Sequence, residues 1–160
     1  MTSTHLQLSN GKTAFIDADL HPFLSRWEWS VNNSGYPSSS LGFLHHLCYG
    51  PRSPQERRSD ICHANENKLD CRRVNLVAMP HWLNQVLNFK RSGRIKGIRK
   101  VADACWKVEV QVAGSKLYLG CQRTFKAAVT LKAGMCERIA GWHLDGKTPN
   151  QIKDLCSHAT

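Results

Sequence analysis

No stretch of this 160-residue chain approaches the run of about 18 apolar residues that a membrane-spanning helix needs. Its first residues, MTSTHLQLSNGK, lack the apolar core of a secretory signal. Both absences predict a protein that stays in the cytoplasm of the cell that makes it and has no membrane partner. No C-x-x-C pair occurs either: the seven cysteines, at 48, 62, 71, 105, 121, 136 and 156, are scattered and odd in number. That pattern predicts reduced, mostly buried thiols rather than a disulfide framework. Acidic residues are scarce in the second half. Residues 81–160 hold five Asp and Glu against fourteen Lys and Arg, while residues 1–80 hold seven against eight. Nearly all of the net charge of +10 therefore sits behind residue 80. So lopsided a field favours a polyanion, and nucleic acid is the commonest one inside a cell.

What is present is the composition of a folded chain, 41% hydrophobic and 21% charged. LQLSNGKTAFIDADL reads as two short strands around an Asn10-Gly11 turn. In RWEWSVNNSGYPSSS a second turn falls at Asn32–Gly35, and Trp27 and Trp29 are expected on one strand face in the core. GFLHHLCYG is a short apolar run between glycines. Strands are predicted at 60–63 and around 74–78, followed by a helix that begins at Pro80 with Leu83, Val86 and Leu87 on its apolar face. This is a ββα arrangement. FKRSGRIKG reads as a hinge, dividing a module at 1–91 from one at 92–160. Three strand-like stretches and a helix capped by Thr124 follow, then a plausible helical turn or two in NQIKDLCS. The fold class expected is α+β.

Between His63 and Asn84 the chain gathers a histidine, several asparagines and a predicted helix. Hydrolysis of a phosphodiester needs a base to activate water, a cation to neutralise the phosphate and leaving oxygen, and a group that holds the base in place. An imidazole at a strand end, facing an amide or carboxylate on a following helix, can meet those needs, and its neutral form titrates in the useful range.

LHHLCYG, then ICHANENKLDCRRVNL, then Asn84 resemble the HNH homing endonucleases found in phages and introns. FIDADL, the following tryptophan and GYP are similar to the region ahead of that motif, so the resemblance covers about residues 6–90. It implies a ββα-metal nuclease module in which His63 is the general base and Asn75 orders the loop and the base. His45 takes the place of the histidine in the family's leucine-histidine element, and His46 stands where an arginine is common. The resemblance gives the cation to Asn84 and makes Arg72 and Arg73 a basic pair able to meet phosphate. The cation would be divalent, Mg²⁺ or else Mn²⁺. Cys62 departs from the pattern by standing where the family has a metal-binding aspartate, and magnesium binds thiolates poorly. Three alternatives stay open. Asn84 holds the cation with phosphate and water; Asp60, two residues back on the same strand face, reaches in; or cleavage has been lost. The spacing of Cys48, Cys62, His63 and Cys71 fits no strong template for a structural zinc.

Further on, Trp106, Val108, Val110 and Val112 alternate with Lys107, Glu109 and Gln111. The apolar set should pack on the helix through Ala127, Ala128, Leu131 and Met135, leaving a polar face with Arg99, Lys100 and Lys107. Arg94 and Lys96 lie just ahead. A three-stranded sheet of this kind can enter the major groove while flanking cations hold phosphates. Gly97-Ile98, Trp106, Val108, Val110, Leu119-Gly120, Thr124, Ala127-Ala128 and Gly141 resemble the plant ethylene-response-factor type of DNA-binding domain, over about residues 95–141. Departures fall at Cys121-Gln122-Arg123 and at Lys126. This second resemblance implies a three-stranded antiparallel sheet with one packed helix.

Together the two resemblances imply a metal-dependent, site-selective endonuclease acting on double-stranded DNA as a monomer in a bacterial or phage-infected cell. A non-cleaving DNA-binding regulator on the same scaffold is the competing expectation.

Overall fold

The computed structural model describes residues 2–89 and 95–159. The chain forms two compact units, Met1–Pro80 and His81–Thr160. The helix expected to close the first module is thus counted with the second, and most of the expected hinge lies outside the described residues.

In the first unit, β1 (Ser3–Gln7) and β2 (Thr13–Asp17) form a hairpin in which Leu6 pairs with Ala14 and Thr4 with Ile16. Gly11 turns the chain at φ 76°, and the Leu8 amide donates to the Lys12 carbonyl at 2.9 Å. The outer edge of β2 is covered by the loop ahead of residue 72. The Phe15 amide donates to the Leu69 carbonyl, and the Cys71 amide donates to the Phe15 carbonyl, both at 2.8 Å. A short helix α1 (His21–Leu24) leads to a small meander of β3 (Ser30–Val31), β4 (Pro37–Ser39) and β5 (Gly42–Phe43). The Asn32 side chain makes the meander's first turn by accepting from the amides of Ser34 and Tyr36 at 2.9 and 3.0 Å. The run between glycines folds as a six-residue helix, α2 (Leu44–Tyr49). β6 (Ser59–His63) and β7 (Leu76–Pro80) then pair antiparallel, with His63 opposite Leu76 and Cys62 opposite Val77. One core joins these parts: Leu6, Ala14, Ile16, Leu24, Trp29, Leu44, Cys48, Ile61, Cys71 and Leu76 are all buried in a single cluster.

The second unit begins with α3 (His81–Leu87), whose Leu83 and Val86 are buried while Leu87 remains 39% exposed. β8 (Ile98–Ala102), β9 (Cys105–Val112) and β10 (Ser115–Gln122) form an antiparallel sheet in the order β10-β9-β8. Val108, Val110 and Val112 face inward as the alternation predicts. The long helix α4 (Phe125–Leu144) is capped by Thr124, whose hydroxyl accepts from the Ala127 amide at 3.1 Å. It buries Ala128, Lys132, Met135, Cys136 and Ile139, whereas Ala127 and Leu131 are only half-buried. The last segment is more than a turn or two. A full helix, α5 (Pro149–His158), opens with a Thr148–Gln151 capping box and packs on α4 and the sheet through Ile152 and Cys156. Two packed helices beyond the sheet, not one, complete the unit.

Two expectations are corrected here. Trp29 is buried and its indole N–H donates to the Leu24 carbonyl at 2.9 Å, but Trp27 is 41% exposed. The strand starts only at Ser30, so period-two alternation does not extend back to residue 27. Cys105 and Cys121 are joined as a disulfide between β9 and β10, where reduced thiols were expected. We expect Trp29→Ala to cost about 3–5 kcal/mol in chemical denaturation, as for a large aromatic removed from a core. Trp27→Ala should stay within about 0.5 kcal/mol of the parent, as surface substitutions do.

Candidate functional site

Strand β6 ends at His63, and the chain then makes a polar loop held by its own side chains. The Asn65 side-chain oxygen accepts from the Asn67 amide and that of Asn67 from the Leu69 amide, at 3.0 and 3.1 Å, while Glu66 takes the left-handed conformation at φ 61°. Asn75, buried at the far side, closes this loop. Its side-chain oxygen accepts from the Asn65 amide at 3.0 Å, and its NH₂ group donates to the Asn65 side chain and the Asp70 carbonyl at 2.9 and 2.8 Å. The Ala64 amide adds a bond to the Asn75 carbonyl. Every hydrogen-bonding position of that carboxamide on the loop side is used, as burial of a polar group requires.

Around His63 lie aromatic rings. His45, on α2, stands 5.1 Å from it between ring centroids, and Tyr36 contacts both imidazoles at 5.9 and 5.2 Å. His46 abuts His45 at 4.4 Å, and Phe43 lies 5.6 Å from His45. The Lys68 ammonium covers the outer face of Tyr36 at 4.6 Å while bonding the Ser34 carbonyl. Among the described residues the side chain that hydrogen-bonds the His63 ring is Cys71, with Sγ 3.8 Å from Nε2.

Burial lowers the pKa of His63, against the pull of the Asp70 carboxylate and with help from Lys68. His45 falls further, to about 3, chiefly through desolvation and then through His46, His63 and Arg52. Its Nδ1 is buried with no hydrogen-bond partner among the described residues. His46 is lowered by burial and Arg52 and raised by Asp60, which places that carboxylate's field on the histidine cluster. Burial disfavours the charged form of all three imidazoles.

The pleat of β6 puts Asp60 and Cys62 on one face and the buried Ile61 with His63 on the other. Cys62 is half-buried. Among the described residues no three His, Cys, Asp or Glu side chains converge to hold a metal ion. Hard oxygen donors do exist in the Asp60 carboxylate and the Asn84 amide, and magnesium commonly takes only one or two protein oxygens, the rest being water and phosphate. These two donors belong to different units, and of the residues the resemblance gives to the cation the Cys62 thiol is the poorest for magnesium. Asn84 lies on α3 in the second unit, where its side-chain oxygen already accepts from the Asn88 amide group, which also bonds the Asn84 carbonyl at 2.8 Å.

Arg72 and Arg73 have intramolecular partners. Arg72 forms a fork on the buried Asp70, with Nε and Nη2 at 2.7 and 2.6 Å from its two oxygens. Arg73 pairs with Asp19 at 2.9 Å, and its backbone amide donates to Asp17 at the same distance. These pairs hold the Asp19 and Asp70 carboxyls below their ordinary range. In the second unit, Arg99 lies opposite Lys107, so both share the sheet face away from the buried valines. Lys100 is opposite Trp106 and belongs to the other face, where it pairs with Asp103 at 2.9 Å. Its place on the open face is thus corrected by strand alternation. Lys107 pairs with Glu109 at 2.9 Å and sits over Tyr118. Lys96 is exposed ahead of β8, and Arg94 lies outside the described residues. Sequence reasoning missed Lys116, exposed on β10 opposite Gln111, and Tyr118, 54% exposed nearby. The alternation in SKLYLG carried that signal. Sequence reasoning considered Cys71 only as a zinc ligand and passed over Asp70, and no alternation marks either because they lie in a loop.

The neutral state of His45 has a consequence for stability. Its folded pKa lies below the unfolded value, so the unfolded chain binds the extra proton first as pH falls. Stability should therefore decline from about pH 6.5 toward pH 3, at no more than about 1.4 kcal/mol per pH unit from this group. His45→Phe should flatten that decline in urea midpoints measured across the range, whereas an unchanged slope would assign the decline to other groups.

No family model matches the chain, and no solved structure does. One curated relative is an uncharacterised HNH endonuclease of Acanthamoeba polyphaga mimivirus, 30% identical over 155 residues that span 93% of this chain and 80% of the relative. A match of that extent covers both units, and it shows that the chain belongs to the HNH endonuclease family.

Proposed function

We propose that the protein is a divalent-cation-dependent, site-selective endonuclease of double-stranded DNA, of the homing or nicking kind. The observation that carries this reading is the imidazole of His63. It stands at a strand end beside a loop closed by the fully bonded Asn75, and burial favours its neutral form. His63 takes the proton of a water as that water adds to phosphorus. The bond from phosphorus to the 3′ oxygen breaks, leaving a 5′ phosphate and a 3′ hydroxyl. A neutral ring is needed for this, and burial beside His45 and Tyr36 keeps it so. His45 packs against the base and holds its plane, and Asn75 keeps the loop from drifting away from the strand end. The resemblance gives the cation to Asn84, with Asp60 and Cys62 as further candidates; the cation would neutralise charge on the scissile phosphate and the departing oxygen. With one such base per chain, a monomer nicks one strand at each visit.

The second unit supplies most of the affinity and the sequence preference in this reading, through the open face of β8, β9 and β10. Arg99, Lys107 and Lys116 on that face, with Lys96 and Arg94 ahead of it, meet phosphate. Arg72 and Arg73 fit better as loop anchors, since a phosphate would have to displace carboxylates already 2.6–3.0 Å away. A cytoplasmic site of action and a bacterial or phage-infected host accord with this function.

A second reading, a DNA-binding regulator that does not cut, is favoured by one observation: a thiol stands where the family pattern has its metal-binding aspartate. Nicking of supercoiled plasmid separates the two. Native protein should nick with Mg²⁺ or Mn²⁺ and not with EDTA, and His63→Ala should lose about 10²–10⁴-fold of the rate with DNA binding intact. Cys62→Asp should raise the rate. If native chain and Cys62→Asp both shift DNA yet stay inert under every metal, the regulatory reading replaces this one.

Binding itself has its own test. Arg99→Ala combined with Lys116→Ala should weaken affinity for all duplexes and lower the slope of log K against log salt by about 2, one for each phosphate no longer neutralised. An unchanged slope would remove the sheet face from the interface.

A further inference from the structure

The structure assigns a specific task to Cys71. Its sulfur lies 3.8 Å from Nε2 of His63 and 3.7 Å from the Lys68 carbonyl oxygen. A thiol has a single hydrogen to give, while its sulfur can also accept weakly. The Lys68 carbonyl can only accept, so that hydrogen belongs to it. The sulfur is then left as an acceptor toward His63, and Nε2 must be the protonated nitrogen of the ring. We propose that Cys71 is the positioning residue that fixes the tautomer of His63, through a relay from Nε2–H to sulfur and from S–H to the Lys68 carbonyl. The lone pair needed to take a proton from water is thereby placed on Nδ1. This inference rests on the reading of His63 as the base and deepens it by naming the reacting atom.

Three features make the relay rigid rather than incidental. Cys71 is completely buried, and its backbone amide is fixed to the Phe15 carbonyl at 2.8 Å. The residues on either side, Asp70 and Arg72, are locked together by the two-bond fork and by the Asn65 side chain. Burial, helped by the field of the nearby Asp70 carboxylate, raises the Cys71 pKa, so the thiol keeps its hydrogen at neutral pH. A thiolate there would accept from both sides and leave the Lys68 carbonyl unpaired.

The placement also explains a residue choice. Sulfur reaches farther than oxygen, and at these separations a serine hydroxyl at position 71 would be stretched to both partners. An alanine would leave the ring free to place its proton on either nitrogen, because its other close side-chain contacts among the described residues are the rings of Tyr36 and His45.

Long-range ¹H–¹⁵N correlation spectra of the full chain read the tautomer directly. In native protein at neutral pH the His63 ring should show Nε2 protonated and Nδ1 bare. Cys71→Ser should keep that pattern, and Cys71→Ala should give the averaged shifts of a ring exchanging between tautomers. In single-turnover nicking, Cys71→Ala should lower the rate constant for cleavage about 10–100-fold, the range for losing the outer partner of a functional histidine, with DNA affinity unchanged. Cys71→Ser, its hydroxyl stretched to both partners, should recover only part of it. A proton found on Nδ1 in the native chain overturns the proposal, as does a Cys71→Ala protein with native tautomer and native rate. Should Cys71→Ala fail to fold, the spectra of native protein and Cys71→Ser still decide the matter. A native chain that shows the relay but never nicks would sink the nuclease reading alone, since the spectra do not depend on cleavage.

Discussion

The buried carboxamide of Asn75 is the constraint on which the first unit's site depends. It lies where two strands of the same hairpin-like pair separate, and it replaces the ladder bonds that the loop after His63 cannot make. Removing one partner from such a buried set leaves donors and acceptors unpaired at about 1–3 kcal/mol each, far more than the net value of any single bond. The loop therefore has one shape or none. Asp70 belongs to the same network: its carbonyl is held by Asn75, its carboxylate by Asn65 and Arg72. The consequence is that Arg72 is no longer a free cation. Rigidity of the loop after His63 and free positive charge are drawn from the same residues, and in this chain rigidity has the larger share.

That division explains what could be read in the sequence. Strand pairing was legible wherever one face is buried: the hairpin at Asn10-Gly11, the strand ending in His63, and the alternation of Val108, Val110 and Val112 each follow from periodicity and turn chemistry. The candidate residues at 45, 63 and 75 were marked by a spaced pattern, which gives no geometry. What could not be read is whatever depends on contacts distant in sequence. Arg73 looks like a phosphate ligand until Asp17 and Asp19, 56 and 54 residues away, are brought to it. Cys71 looks like a small buried hydrophobe until the Lys68 carbonyl and the His63 ring are seen on either side of its sulfur. Trp27 failed for a simpler reason, since alternation was extended beyond the end of a two-residue strand.

Charge shows the same limit in the second unit. The count of Lys and Arg beyond residue 80 points to a polyanion, but the count does not say which cations face it. Lys132 is buried under α4, where its ammonium donates to the Glu109 carbonyl and lies over Phe89, and burial lowers its pKa. A Cβ on Gly97 would collide with that same ammonium and carbonyl, and Gly97 at φ 74° needs a glycine in any case. The Gly97-Ile98 pair that helped mark the resemblance is thus explained by close packing against a buried lysine. Lys100 is paired with Asp103, and Lys107 with Glu109.

An exposed pair of this kind is worth at most about 1 kcal/mol, so a phosphate can compete for either lysine at small cost. A buried ammonium is different: bringing Lys132 out would empty its place under α4 and strand the Glu109 carbonyl. The unit's electrostatic field is therefore built from two populations, one that can be re-paired by a polyanion and one that cannot. Only the first can contribute to the salt dependence of binding. In the proposed interface, whose open sheet face presents Arg99, Lys107 and Lys116 within three adjacent strands, the number of phosphates neutralised would be set by strand register, and the net charge of the chain would overstate it.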